Sequence, residues 1–262
     1  MSPPKKSDEP RLDVDATREK LARLGLAHAA DILGDKLTEA AREETPAHRF
    51  LDRFLEDELA SREERRVRTS LRLSGLPTGQ TLASFDFSFQ PSIERSRIET
   101  LATGAWIREK ETVLIQGPPG VGKTHLAVAL GVRAIETGFS VAFYRLEELI
   151  ASMRRDADVP ASRLRRRKYV NVALLVIDEV GFEPMDRQAA SLFFRLISYR
   201  YGKGSVLITT NKGIKDWPEV LAGDDVLASA ILDRLLHKSH VLNIKGRSYR
   251  LRDLEQAALN RN

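Results

Sequence analysis

The chain of 262 residues contains no cysteine. Disulfide staples, thiolate catalysis and cysteine-ligated zinc are therefore excluded, and the absence fits a reducing compartment. No apolar run approaches the roughly 18 residues of a membrane-crossing helix. Met1–Pro10 is polar and proline-rich and has no apolar signal core. A soluble, cytoplasmic protein with no membrane partner is expected. No internal repeat is visible. A strong charge bias is missing too: 42 Lys and Arg against 37 Asp and Glu leave a net charge of +5. That mild basic excess suits a polyanionic partner without naming one.

What is present starts at Val113. The apolar run Val113-Leu114-Ile115 reads as a buried strand. Gly117-Pro118-Pro119-Gly120-Val121-Gly122-Lys123-Thr124 follows and fits G-x-x-x-x-G-K-[ST] at every fixed position. The glycines, without Cβ, let the backbone turn tightly against a ligand. Successive N–H groups make an anion nest, and the next helix points its positive end at the same anion. Lys123 would reach the terminal phosphates of ATP, and the Thr124 hydroxyl would bind Mg²⁺. His125, next in the helix, is expected to pack beside the nucleotide rather than act as a base. An apolar strand closed by Asp178-Glu179 is the expected complement of this loop. Asp178 would hold Mg²⁺, and Glu179 would polarise the water attacking the γ-phosphorus. Asn211 ends a third apolar run, Val206–Thr210. Its amide either hydrogen-bonds the γ-phosphate or attacking water or starts a turn. Arg234, Arg250 and Arg200 are candidate cations for transition-state charge, each weighed against a surface ion pair.

In chain order, residues 1–10 read as a disordered tail, and residues 11–80 as a small helical domain. Phe50, Leu51, Phe54, Leu55 and Glu58-Leu59 form its stripe, Thr45-Pro46 starts the helix and Gly75-Leu76-Pro77 ends it. It is either a plain appendage or a docking module for a partner or for DNA. Phe85, Phe87 and Phe89 alternate as in a short extended segment packing on one side; they either pack in the core, the favoured role, or rest near the base of a nucleotide. From Ile93 onward, within a nucleotide-binding domain at 81–262, strand and helix alternate. Helices are expected near 93–107, 146–155, 186–201 and 226–237, and after the loop up to Gly138. Strands are expected at 113–116, 141–144, 172–177, 206–210 and 241–244. The alternation argues for an α/β fold with a parallel sheet and helices on both faces. His237 and His240 have no third ligand nearby and are not expected to bind metal.

Between Arg154 and Lys168, Arg154, Arg155, Arg163, Arg165, Arg166, Arg167 and Lys168 face only Asp156 and Asp158. This local excess equals that of the whole chain. It reads as an electrostatic footprint for the phosphates of double-stranded DNA, or as a solvated helix end. No base-reading signature accompanies it, so contacts would be sequence-independent.

With these residues placed, the chain resembles the IstB-like ATP-binding proteins, transposition helpers of insertion sequences within the initiator and helicase-loader branch of the AAA+ P-loop NTPases. The resemblance rests on FDFSFQPSI (85–93), GPPGVGKTHLAVALG (117–131), LLVIDEVGF (174–182), LISYRYGKGSVLITTN (196–211), Trp217 with Pro218-Glu219, AILDRLLH (230–237) and IKGRSYRL (244–251). It implies a sheet ordered 5-1-4-3-2, no C-terminal helical lid, and an ATP-dependent homo-oligomer tracking DNA. A transposase would be the second partner. It also implies a sensor role for Asn211 and makes Arg234 the foremost arginine finger, donated to a neighbour's ATP. A replicative helicase loader is the alternative reading.

Overall fold

A computed structural model describes residues 13–252, so the tail expected at 1–10 lies outside the described residues. The described chain divides into two compact units, with the boundary between Arg68 and Thr69.

The first unit is helical. Helices α1 (Val14–Arg23) and α2 (Ala27–Arg42) precede α3 (Ala47–Ser74), which starts directly after Pro46 and carries the chain into the second unit. Asp13 caps α1 by accepting from the Ala16 N–H. The stripe read from the sequence is split in the structure. Phe54 is buried with Ala29 and Leu33, and Phe50 packs against them. Leu51, Leu55 and Leu59 are exposed. Glu58 is buried, accepts from the Ala29 N–H at 2.8 Å and pairs with Arg62 at 2.8 Å. Burial alone would raise its carboxyl, but those donors outweigh it and hold the group below the usual carboxylate range.

The second unit holds the sheet. Helices α4 (Arg95–Ala102) and α5 (Ala105–Arg108) replace the single helix expected over 93–107. The break is Gly104, left-handed at φ 73°, where a Cβ would lie 2.8 Å from the Phe139 ring. Then come β1 (Thr112–Gln116), α6 (Lys123–Glu136), β2 (Val141–Arg145), α7 (Leu146–Arg155), the short helices α8 (Ala161–Leu164) and α9 (Lys168–Asn171), and β3 (Leu174–Val180). Helix α10 (Arg187–Arg200), β4 (Ser205–Thr210), the short α11 (Trp217–Val220), α12 (Asp225–Leu236) and β5 (Ser239–Asn243) complete it. Asp186 and Asp224 cap α10 and α12, accepting from Ala189 N–H at 2.7 Å and Leu227 N–H at 2.8 Å.

All pairings are parallel, and the order across the sheet is β2-β3-β4-β1-β5, the 5-1-4-3-2 arrangement read from the other edge. Strand side chains alternate between faces. Leu114, Leu175, Ile177, Val206 and Ile208 join a core with Leu149, Phe193, Leu196 and Ile231 from α7, α10 and α12. Helix α6 covers the opposite face with Leu126 and Leu130 buried. Truncating one of these fully buried leucines to alanine costs about 2–5 kcal/mol in such cores. Among the described residues, no helix is long and apolar enough to cross a membrane.

Candidate functional site

The carboxyl ends of β1, β3 and β4 converge on one cleft of about 320 Å³, a volume within the range of ligand pockets. The loop between β1 and α6 supplies its floor. Gly120 and Gly122 are left-handed, at φ 79° and 94°. A Cβ on Gly122 would lie 2.8 Å from the Phe85 ring, and one on Gly120 would run into Ser248. Neither position has room for a side chain. Val121 is buried, while Pro118 and Pro119 stand exposed at the lip. Helix α6 begins at Lys123, so its free N–H groups face the cleft.

The Lys123 ammonium donates to the Pro118 carbonyl at 2.8 Å. Burial lowers it below the ordinary lysine range; Asp178 and Glu179 oppose that effect, while the Arg250 charge adds to it. A polyphosphate arriving here would meet a cation short of partners. The Thr124 hydroxyl lies 3.0 and 3.1 Å from the two Asp178 carboxylate oxygens. Asp178 is buried and also accepts from the Thr209 hydroxyl. These are hard oxygen donors, and no group of three His, Cys, Asp or Glu residues stands ready to chelate an ion among the described residues. That fits Mg²⁺, which takes one or two protein oxygens and completes its shell with phosphate and water; Thr124 and Asp178 are the residues that would hold it.

Glu179 turns the other way. The pairing of β3 with β4 slips between Ile177 and Val180, and Glu179 takes φ 64°, a left-handed conformation for a non-glycine residue. Such a conformation costs about 1–2 kcal/mol, and a bulge re-aims a side chain in this way. The Glu179 N–H is held by the Thr209 hydroxyl at 3.0 Å. Its carboxylate is exposed at the cleft, 3.8 Å from Arg145 at the tip of β2. Asn211, exposed beyond β4, and Arg250 line the same cleft.

The sequence reading missed Thr209 and Arg145. Each is a polar residue at or near the tip of an apolar strand, but only strand adjacency brings them to the acid pair. It left the aromatic segment before α4 between core packing and a place beside the nucleotide; Phe85 is buried and lines the wall of the cleft. Residues 81–90 form turns rather than the extended segment expected, one of them closed by the Asp86 carboxylate, which accepts from the Ser88 and Phe89 N–H groups. Phe85 stacks edge-on against His125 with ring centres 5.2 Å apart. His125 Nε2 lies 2.9 Å from the Thr81 carbonyl, which ties the wall to α6. Arg252 is paired to Asp86 at 3.0 Å and lies over Phe89 and Tyr249.

Two candidate arginines are not in the cleft. Arg234 donates to Ala230 O at 2.6 Å and lies over the Phe194 ring. It lines a separate cavity of about 310 Å³, bordered by Thr112, Gly204 and Lys238 at the amino ends of β1, β4 and β5. Arg200 is corrected outright: it is 1% exposed and donates to the carbonyls of Tyr169, Val170, Val172, Ala173 and Ser205. Burial lowers it to about 10. Arg200 fastens the segment leading into β3 to the start of β4 and cannot reach a neighbour's phosphate.

In the basic segment, three of the seven cations are engaged within the fold. Arg154 pairs with Asp186, Arg167 with Asp156 at 2.6 Å, and Lys168 donates to Leu73 O at 2.9 Å. Arg155 has the Ser152 hydroxyl at 3.1 Å. Arg163, Arg165 and Arg166 are exposed.

A family model described as IstB-like ATP binding protein matches residues 19–257. An ATP-binding protein of insertion sequence IS21 from Pseudomonas aeruginosa is 44% identical over 239 residues, 91% of this chain and 90% of that protein. Among solved structures, AMPPCP-bound DnaA from Aquifex aeolicus is 18% identical with a TM-score of 0.53, over 71% of this chain and 56% of that one. The DnaC helicase loader is 23% identical with a TM-score of 0.50, over 67% of this chain and 98% of the other. At those identities the two structures speak for the AAA+ fold alone.

Proposed function

The chain belongs to the IstB-like ATP-binding family, and from that premise we propose that it hydrolyses ATP to control its hold on double-stranded DNA during transposition. The observation that carries the reading is the meeting of Lys123 and Thr124 with Asp178 and an outward Glu179 at one cleft. The loop amides, the α6 terminus and Lys123 bind and orient the polyphosphate. Mg²⁺, when bound, neutralises charge developing on the β- and γ-oxygens. Glu179 takes the proton of the attacking water, and Asn211 positions that water without adding charge. Arg250 in the same subunit and Arg234 from a neighbour stabilise charge on the transferring group. The Pseudomonas aeruginosa relative at 44% identity is named for an insertion sequence, which favours transposition with a transposase partner over helicase loading.

The direct test is nucleotide binding. Lys123→Ala weakens ATP binding with Mg²⁺ on the order of a hundredfold, because a charge-assisted contact to phosphate is lost. Calorimetry reads this. Equal affinity in the variant would remove the phosphate cradle from the account.

DNA contact falls to the cations the fold leaves available: Arg155, Arg163, Arg165 and Arg166. Four phosphates give a log–log salt slope of about −3.6 per subunit. Substituting alanine at Arg163, Arg165 and Arg166 together flattens it by about 2.7. Arg167 is left intact because it is paired to Asp156. A slope that does not move places DNA on another surface.

A further inference from the structure

Where β3 pairs with β4, two residues stand against one. Ile177 lies opposite Ile208 and Val180 opposite Thr210, so Asp178 and Glu179 together face Thr209. Such a bulge leaves the extra residue outside the ladder, and a backbone N–H without a partner away from water is costly. The Thr209 side chain takes the place of the missing rung: its hydroxyl accepts from the Glu179 N–H at 3.0 Å. A hydroxyl also has one proton to give, and Thr209 donates it to Asp178 Oδ1. The two bonds form one chain, from N–H to hydroxyl to carboxylate, in which the anion polarises the hydroxyl and makes it a better acceptor. Thr209 and Asp178 are both buried, which keeps the shared bond out of bulk water. Glu179 meanwhile holds φ 64°, and a non-glycine residue persists there only where its surroundings impose it.

We propose that Thr209 is a positioning residue for hydrolysis, setting the metal-holding acid and the water-directing acid from a single oxygen. The proposal rests on the ATPase reading of the cleft and adds a residue to it. Thr209 acts through Asp178, whose Oδ1 it holds beside the Thr124 hydroxyl. It also acts through the Glu179 backbone, whose left-handed turn directs the carboxylate to the cleft. The neighbouring Thr210 cannot take over, since its hydroxyl accepts from the Lys212 N–H instead. Valine at position 209 fills nearly the same volume and offers neither bond. It would leave a buried carboxylate oxygen short of a donor and the Glu179 N–H without its acceptor. Serine keeps the hydroxyl and with it both bonds.

The experiment compares full-length wild-type protein with Thr209→Val and Thr209→Ser. The first readout needs no ligand: hydrogen exchange of the Glu179 amide, followed by NMR without nucleotide or metal. Wild type and Thr209→Ser are expected to protect that amide about tenfold or more beyond Thr209→Val. The second readout separates binding from chemistry. Thr209→Val binds ATP with Mg²⁺ within about threefold of wild type but hydrolyses it about 10- to 100-fold more slowly in a single turnover. Thr209→Ser recovers the rate to within about threefold. Wild-type turnover in Thr209→Val overturns the proposal. So does a loss of ATP affinity as large as the loss of rate, which a general packing defect would give. Should Thr209→Val not fold, the wild-type amide decides: exchange at the rate of an unstructured peptide overturns the hold on Glu179, and protection sustains it. If wild type binds ATP without hydrolysing it, the ATPase reading falls and takes the positioning role with it, whereas a fully active Thr209→Val removes the positioning role alone.

Discussion

Glu179→Gln protein keeps ATP and turns it over about a thousandfold more slowly than wild type. General-base removal alone is worth about two to four decades, and the amide is nearly isosteric with the acid. The contacts that grip the phosphates are kept, since Glu179 lies off the Thr124–Asp178 pair and is directed outward by the bulge; only its charge, which favours the Lys123 ammonium, is lost. The measurement is paired: dissociation constants by calorimetry, and single-turnover phosphate release. DNA-bound assemblies of the variant persist after ATP addition, because the state that hydrolysis would end is held. A variant whose turnover matches wild type would show that Glu179 is a turn residue. Arg145→Ala is the companion. The exposed Arg145–Glu179 pair is worth well under 1 kcal/mol, so its loss leaves folding intact and frees the carboxylate.

Arg234→Ala abolishes most of the turnover that oligomers perform, by about three decades or more, as arginine fingers do. Its place at the amino ends of β1, β4 and β5 keeps it out of its own cleft. The decisive arm is mixing. Lys123→Ala subunits and Arg234→Ala subunits are each inactive alone. Together they regain turnover, because the first lends its arginine to the intact cradle of the second. Arg234→Lys separates charge from geometry, since lysine lacks the planar fork. Full turnover by Arg234→Ala would reassign the role to Arg250, which lines the cleft in the same chain.

The phosphate loop and the acid pair were legible in sequence because both chemistries are local: the glycines, Lys123 and Thr124 are contiguous, and Asp178-Glu179 closes one strand. The element types were legible from periodicity, but the strand order was available only through the family resemblance. What escaped was decided by packing between distant segments. Arg200 looked like a surface cation at the end of α10, and only the meeting of residues 169–173 with the start of β4 supplies the five carbonyls it donates to. Phe85, Phe87 and Phe89 read as an extended segment because alternation of rings does not by itself separate a strand from a run of turns. Arg154, Arg167 and Lys168 read as unpaired cations in the sequence, because their internal partners Asp186, Asp156 and the Leu73 carbonyl are not adjacent to them in the chain.

The cleft and Arg234 occupy opposite rims of a single sheet. A contact joining one rim to the other is head-to-tail and does not complete itself in a pair. An open string of such subunits would have unlike termini: a fuelled socket without its arginine at one, an idle arginine at the other. Were Arg234 the shared cation, the terminal socket would lack what every inner one receives, and the two ends of such a row would not be equivalent.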